Sequence, residues 1–270
     1  MRVLVPALLL LTAGCLTSIT PSPEGAASAS ARTIPWELNE CRYLVGWSEA
    51  DPAIIQRHLP EGFVVQAGAP LGLPVPAGPA ARSIIGTEAF DCASGSGLNG
   101  TVAPMLYGSI WIPVTPPEAL AVDGISEVYY KIHVLVPDAA RREAMLAQGL
   151  LVGDGAIEWS APTAPTGSAA STTIDGAGAF RLDMAPVQSR APGETSEFME
   201  ITPSGEDGAG GYAIWRANYS WDSDTITQGR GTVDWPADHW VTEAIGNARA
   251  PASFHAGVWS FAGTLTLPSR

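Results

Sequence analysis

The sequence predicts an all-β or α+β protein, a mainly antiparallel sheet that closes into a barrel or sandwich with two or three helices. Three observations carry this expectation. Many short segments alternate apolar and polar side chains, the period of a strand with one face in a core. Gly, Pro, Asn and Asp clusters separate them, drawing on 29 glycines and 23 prolines among 270 residues. Helix signals are few, and a sheet with little helical cover buries its inner face by closing into a barrel or packing on a second sheet.

The N-terminus sets the compartment. Arg2 precedes an apolar run over residues 3–11 that is too short for a stable membrane span and reads as a signal peptide. The run closes on Leu11-Thr12-Ala13-Gly14-Cys15, which resembles the lipobox of exported lipoproteins, with Cys15 as the lipidated residue. Residues 1–15 are thus expected to be the leader, 16–33 a Pro- and Ser-rich tether unable to bury a core, and 34–270 a single domain. Ordinary cleavage after Ala29 or Ala31 is the alternative. Either cut places the domain outside the cytoplasm, lipid-anchored to the cell membrane or secreted. Cys41 and Cys92 then remain as an even pair, read as one disulfide, with two reduced buried cysteines as the alternative.

A formal net charge of −13 repels polyanions, so nucleic acid and anionic membrane surface are not expected partners, and the only membrane contact foreseen is the lipid anchor. A small molecule is the partner left. No CxxC or His-rich spacing suggests zinc, Asp222-Ser223-Asp224 lacks the rest of a calcium loop, and no cofactor motif is present. Ser94-Gly95-Ser96-Gly97 lacks the first glycine of a nucleophile elbow.

Along the domain, residues 41–47 alternate with Tyr43, Val45 and Trp47 on one side and predict a strand. A short helix follows, capped by Ser48 or Asp51, with Pro52 in its first turn and Ile54, Ile55 and Leu59 as its stripe. Phe63-Val64-Val65 is extended, and residues 68–79 read as a long loop. Residues 83–92 and 104–114 form strands joined by a Gly- and Asn-rich hairpin connection. After a strand over 127–136, Asp138 caps the strongest helix, which Gly149 ends. Short strands are expected over 156–159, 171–174, 179–184 and 197–202, with a loop over 161–170. A longer strand over 212–221 and another over 229–235 follow. A short helix is expected within 238–248, and a final hairpin over 253–267.

The strand over 127–136 gathers unusual chemistry. Strict alternation puts Glu127, Tyr129, Lys131 and His133 in one row and Val128, Tyr130, Ile132 and Val134 in the other. Lys131 is the only lysine in the chain. If the polar row lines a cavity, Lys131 is a candidate amine nucleophile or electrostatic group, with Glu127 or His133 as acid-base partner and Tyr129 beside it. Arg216 and Asn218, from the strand over 212–221, would complete a pocket for a carboxylate. The plain alternative is a strand whose polar side meets water. His58, His239 and His255 are scattered and read as surface or satisfied histidines.

Arg42-Tyr43-Leu44-Val45-Gly46-Trp47, followed by Asp51-Pro52-Ala53-Ile54-Ile55-Gln56-Arg57-His58-Leu59-Pro60-Glu61-Gly62-Phe63, resembles the strand, short helix and Leu-Pro-x-Gly turn that open acetoacetate decarboxylase-like proteins. The resemblance implies a curved antiparallel sheet closing into a barrel or cone around a polar cavity, with two or three peripheral helices packed outside, so that the expected fold class is α+β, mainly β. It also implies, for true decarboxylases, a Schiff-base lysine in a Pro-Lys-Lys segment. This chain has no adjacent lysines, so that chemistry is carried over to no residue. The leading expectation is a barrel binding a small apolar or carboxylate-bearing ligand. An enzyme using Lys131 on the same scaffold, and a surface carbohydrate- or protein-interaction module with exposed tryptophans, are the alternatives.

Overall fold

The computed structural model describes residues 31–67, 82–97, 100–102, 105–125, 127–160, 169–174, 178–190, 196–205, 210–221 and 226–268. The leader with Cys15, most of the tether and the loop over 68–79 lie outside them. The strands are β1 (Arg32–Ala50), β2 (Val64–Val65), β3 (Ser83–Gly97), β4 (Gly100–Val102), β5 (Met105–Thr115), β6 (Glu127–Leu135), β7 (Ile157–Ser160), β8 (Ala169–Ile174), β9 (Gly178–Arg190), β10 (Ser196–Pro203), β11 (Tyr212–Trp221), β12 (Ile226–Asp234) and β13 (Arg249–Leu267). The helices are α1 (Pro52–Gln56), α2 (Ala139–Leu146) and α3 (Trp240–Ile245).

Seven strands close a ring in the order β1-β3-β5-β6-β10-β11-β13, with β13 pairing back onto β1 from Arg32↔Leu267 to Trp47↔Ser253. Closure removes the exposed edges that an open sheet of this size would present. The free half of the far edge of β13 takes β12, and β9, β8 and β7 continue outward from there. Pairing in the ring is antiparallel except between β6 and β10, which run parallel.

The predicted final hairpin is instead one long strand. Residues 249–256 pair with β12 and residues 259–266 with β11, so two successive partners along one edge take the place of a turn. Gly263 makes the second pairing possible, because a Cβ there would lie 1.8 Å from the carbonyl oxygen of Arg216.

Alternation along the ring strands sorts their side chains into two cores. The inner one includes Tyr43, Val45, Trp47, Phe90, Trp111, Tyr129, Phe198, Ala213, Trp259, Phe261 and Leu265. The outer one takes Leu44, Ile85, Ile110, Ile112, Tyr130, Met199 and Ile201 from the opposite faces and packs them under Ile55 of α1 and Val241 and Ala244 of α3. Both α1 and α3 are thus amphipathic covers for the barrel wall. Asp51 caps α1 and Asp138 caps α2 as their positions require, each accepting from a backbone N–H of the first turn at 2.8 Å. The cap of α3 is His239, through Nδ1, one residue beyond the expected start. Cys41 and Cys92 face each other across β1 and β3 and are joined as a disulfide.

Candidate functional site

One end of the barrel interior is left hollow as a cavity of about 360 Å3, within the range of small-molecule sites. Trp36, Leu38, Phe90, Phe198, Trp215 and Phe261 wall it from five of the ring strands. Residues of α2 and the segment after it, among them Ala144, Met145, Leu150 and Val152, cover its mouth. The rings brace one another: Trp36 meets Trp215 edge-on at 5.1 Å, and Phe261 meets Phe90 at 5.2 Å. Below the cavity the barrel is filled, with Trp111 against Tyr129 at 4.8 Å. Gly86 allows this, because a Cβ there would strike the Trp111 ring at 2.1 Å.

Lys131 stands at the floor, 1% exposed. Its ammonium donates to Glu88 Oε1, to Ser109 Oγ at 2.9 Å and to Glu200 Oε1 at 2.7 Å, which uses its three N–H groups. Glu88 Oε1 also accepts from Ser109 Oγ at 2.6 Å and from the Tyr107 hydroxyl at 3.2 Å. The Tyr107 ring lies 5.9 Å from the Lys131 nitrogen. Four neighbouring ring strands, β3, β5, β6 and β10, thus converge on one ion cluster. A lone charge there would be prohibitive, but one ammonium between two carboxylates with hydroxyls on the spare lone pairs is tolerated.

The cluster sets its own protonation. Burial works to strip the proton from Lys131, but Glu200 and Glu88 together outweigh it and raise the lysine above its ordinary value, so it is an ammonium at neutral pH. Burial pushes Glu200 up to about 7, opposed by Lys131 and reinforced by Glu88. Burial likewise raises the Tyr107 phenol, which stays protonated. Glu200 has 17% of its side chain exposed against 6% for Glu88, so it is the carboxyl that the cavity sees.

The sequence-predicted residues separate. Lys131 and Tyr129 face inward, as expected of the polar row. His133 does not, because β6 carries a bulge: Trp111 pairs with Lys131 while the preceding Ile110 pairs with His133, leaving Ile132 extra. His133 therefore shares the outer face with Ile110, its ring 5.8 Å from that of His239. Glu127, at the far end of β6, accepts from Tyr129 at 3.4 Å and is raised by burial, away from the ammonium. Arg216 and Asn218 fall on the outward side of β11, where Arg216 pairs with Glu197 at 2.7 Å. The residue between Ile214 and Arg216 that reaches the cavity is Trp215. The predicted carboxylate pocket of Lys131, Arg216 and Asn218 is thus not assembled. Glu88, Glu200, Ser109 and Tyr107 take its place. Among the described residues no cluster of His, Cys, Asp and Glu is arranged to hold a metal ion.

No family model matches the chain, and no curated protein matches it in sequence. Solved structures match in fold. An acetoacetate decarboxylase-like enzyme from Sphingomonas wittichii RW1 superposes with a TM-score of 0.50 at 15% identity, over 89% of this chain and 95% of that one. The enduracididine biosynthesis enzyme MppR, complexed with pyruvate, superposes with a TM-score of 0.52 at 13% identity, over 92% and 94%. The chain therefore has the acetoacetate decarboxylase-like fold, and at these identities the likeness is one of fold.

Proposed function

We propose that this protein binds one small, largely apolar molecule inside the barrel, with the polar end of that molecule on the Glu200 side of the floor cluster. The observation that carries the reading is an aromatic-walled cavity with the Glu200 carboxyl exposed at its floor. Trp36 and Thr202 also line it, through atoms other than Trp36 Nε1 and Thr202 Oγ1, which are buried from the cavity as well as from solvent. Fluorescence titration with N-phenyl-naphthylamine tests this. One site per chain is expected, abolished when Ala144→Trp fills the cavity from α2; undiminished binding in that variant would refute the reading.

A second reading, an enzyme on the same scaffold, has one observation in its favour. Passing a proton from Lys131 to Glu200, whose pKa lies near 7, would leave a neutral amine beside a neutral acid. That amine could add to a carbonyl carbon and expel water as an imine. The raised lysine weighs against this in the resting state. Borohydride trapping with keto acids and aldehydes, with Lys131→Arg as control, decides it: a ligand-sized adduct on Lys131 makes the enzyme reading the leading one.

We also infer export, with lipidation at Cys15 as the proposed anchor. The Cys41–Cys92 disulfide supports an oxidising compartment. Metabolic labelling with a palmitate analogue, lost in Cys15→Ala, would test the anchor.

A further inference from the structure

Building on the cavity-binding reading, we propose that the ligand is an organic cation, an amine or quaternary ammonium with an apolar body, and that the site discriminates against organic anions. The first ground is charge. Lys131 and Arg141 are the cations that line the cavity, whereas Glu200 and Asp138 line it as acids and Glu88 stands directly behind Lys131. Carboxylates thus outnumber cations, and the lysine's donors are all spent inside its own cluster. An anion that reaches the floor meets Glu200 and finds no open ammonium behind it.

The second ground is the wall. Trp36, Trp215, Phe90, Phe198 and Phe261 line one volume, their rings packed largely edge-to-face on one another. Ring faces attract cations, by about 0.5–2 kcal/mol each depending on desolvation, and repel anions. Aromatic walls beside a solvent-poor carboxyl form a cage for a poorly hydrated cation.

The groups facing Glu200 are Glu88 from β3, Tyr107 and Ser109 from β5, Lys131 from β6, and Asp138 and Arg141 across the cavity on α2. A bound cation favours ionised Glu200, so its binding expels a proton and strengthens as pH rises through 7. An anion would behave oppositely.

Calorimetric and NMR titration of the folded domain with three probes of like shape tests the proposal: phenyltrimethylammonium, uncharged tert-butylbenzene and benzenesulfonate. The cation is expected to bind at least about tenfold tighter than the neutral probe, and benzenesulfonate not at all. Its affinity should rise about fivefold from pH 6 to 8, a readout needing no variant. Glu200→Gln should cost the cation about tenfold and the neutral probe less than about twofold. Binding of the neutral probe as tight as the cation, or tighter binding of benzenesulfonate, overturns the charge class and leaves the cavity reading standing. Failure of all three, with N-phenyl-naphthylamine binding undiminished in Ala144→Trp, overturns both.

Discussion

Lys131 and Glu200 approach to 2.7 Å inside the barrel, although they come from β6 and β10, strands separated in sequence by α2 and three further strands and brought side by side as the parallel pair of the ring. The contact ties the floor of the cavity to closure of the fold. Removing its positive member leaves Glu88 and Glu200 buried with no counter-charge. Lys131→Met should therefore lose about 3–5 kcal/mol in urea denaturation. Adding Glu88→Gln and Glu200→Gln should restore most of the loss. A single-variant loss below about 1 kcal/mol would contradict the buried geometry.

The acid limb of the stability profile should carry the signature of Glu200. Its folded value of about 7 stands above the ordinary 4.5, so the folded state holds a proton that the unfolded state has released between those values. The contribution is fully present below about 4.5 and is lost as pH rises through 7. Relative to Glu200→Gln, the native protein should lose stability between pH 5 and pH 8. A difference that stays flat over this window would assign the titration elsewhere.

Reduction of the Cys41–Cys92 bridge, or its replacement by serines, should lower stability by about 4 kcal/mol, from the freedom restored to a loop of 51 residues in the unfolded chain. Denaturation with and without reductant measures this directly.

Gly263→Ala should strain the β11–β13 seam, since its Cβ has no room beside the Arg216 carbonyl. A loss of up to about 3 kcal/mol is expected, with weakened amide protection on both strands. Hydrogen exchange that leaves β11 unchanged would show that the seam adapts elsewhere.

Arg216→Ala should change stability by less than about 1 kcal/mol and leave cavity binding intact, because its pair with Glu197 lies on the exposed side of the wall. Loss of ligand binding in that variant would return Arg216 to the site.

The barrel was legible because it rests on period-two patterning, which each strand displays locally. Tyr43, Val45 and Trp47 declare their common side without reference to any neighbour. The site was half legible. Lys131 stood out as the only lysine, but its partners are lone acids inside apolar runs, Glu88 after Ile84-Ile85-Gly86-Thr87 and Glu200 between Met199 and Ile201. A charge in such a run is itself a sign of a buried partner, and with one lysine available the pairing could have been suspected. His133 could not have been placed. A bulge moves every later residue to the other face, and it is set by cross-strand pairing that no single segment records.

The seam between β1 and β13 has a kinetic meaning. The two strands that zip together stand near opposite ends of the described chain, so the last ring contacts to form span almost all of it. During synthesis the early strands must wait, with their aromatic faces wet, until residue 267 emerges. The cavity cannot exist in any shorter nascent chain, and refolding should be slow, as expected when contacts are mostly distant in sequence. If the chain is exported unfolded, as proposed above, this last step waits until it reaches an oxidising compartment, where the thiols of Cys41 and Cys92 can be joined across the neighbouring seam.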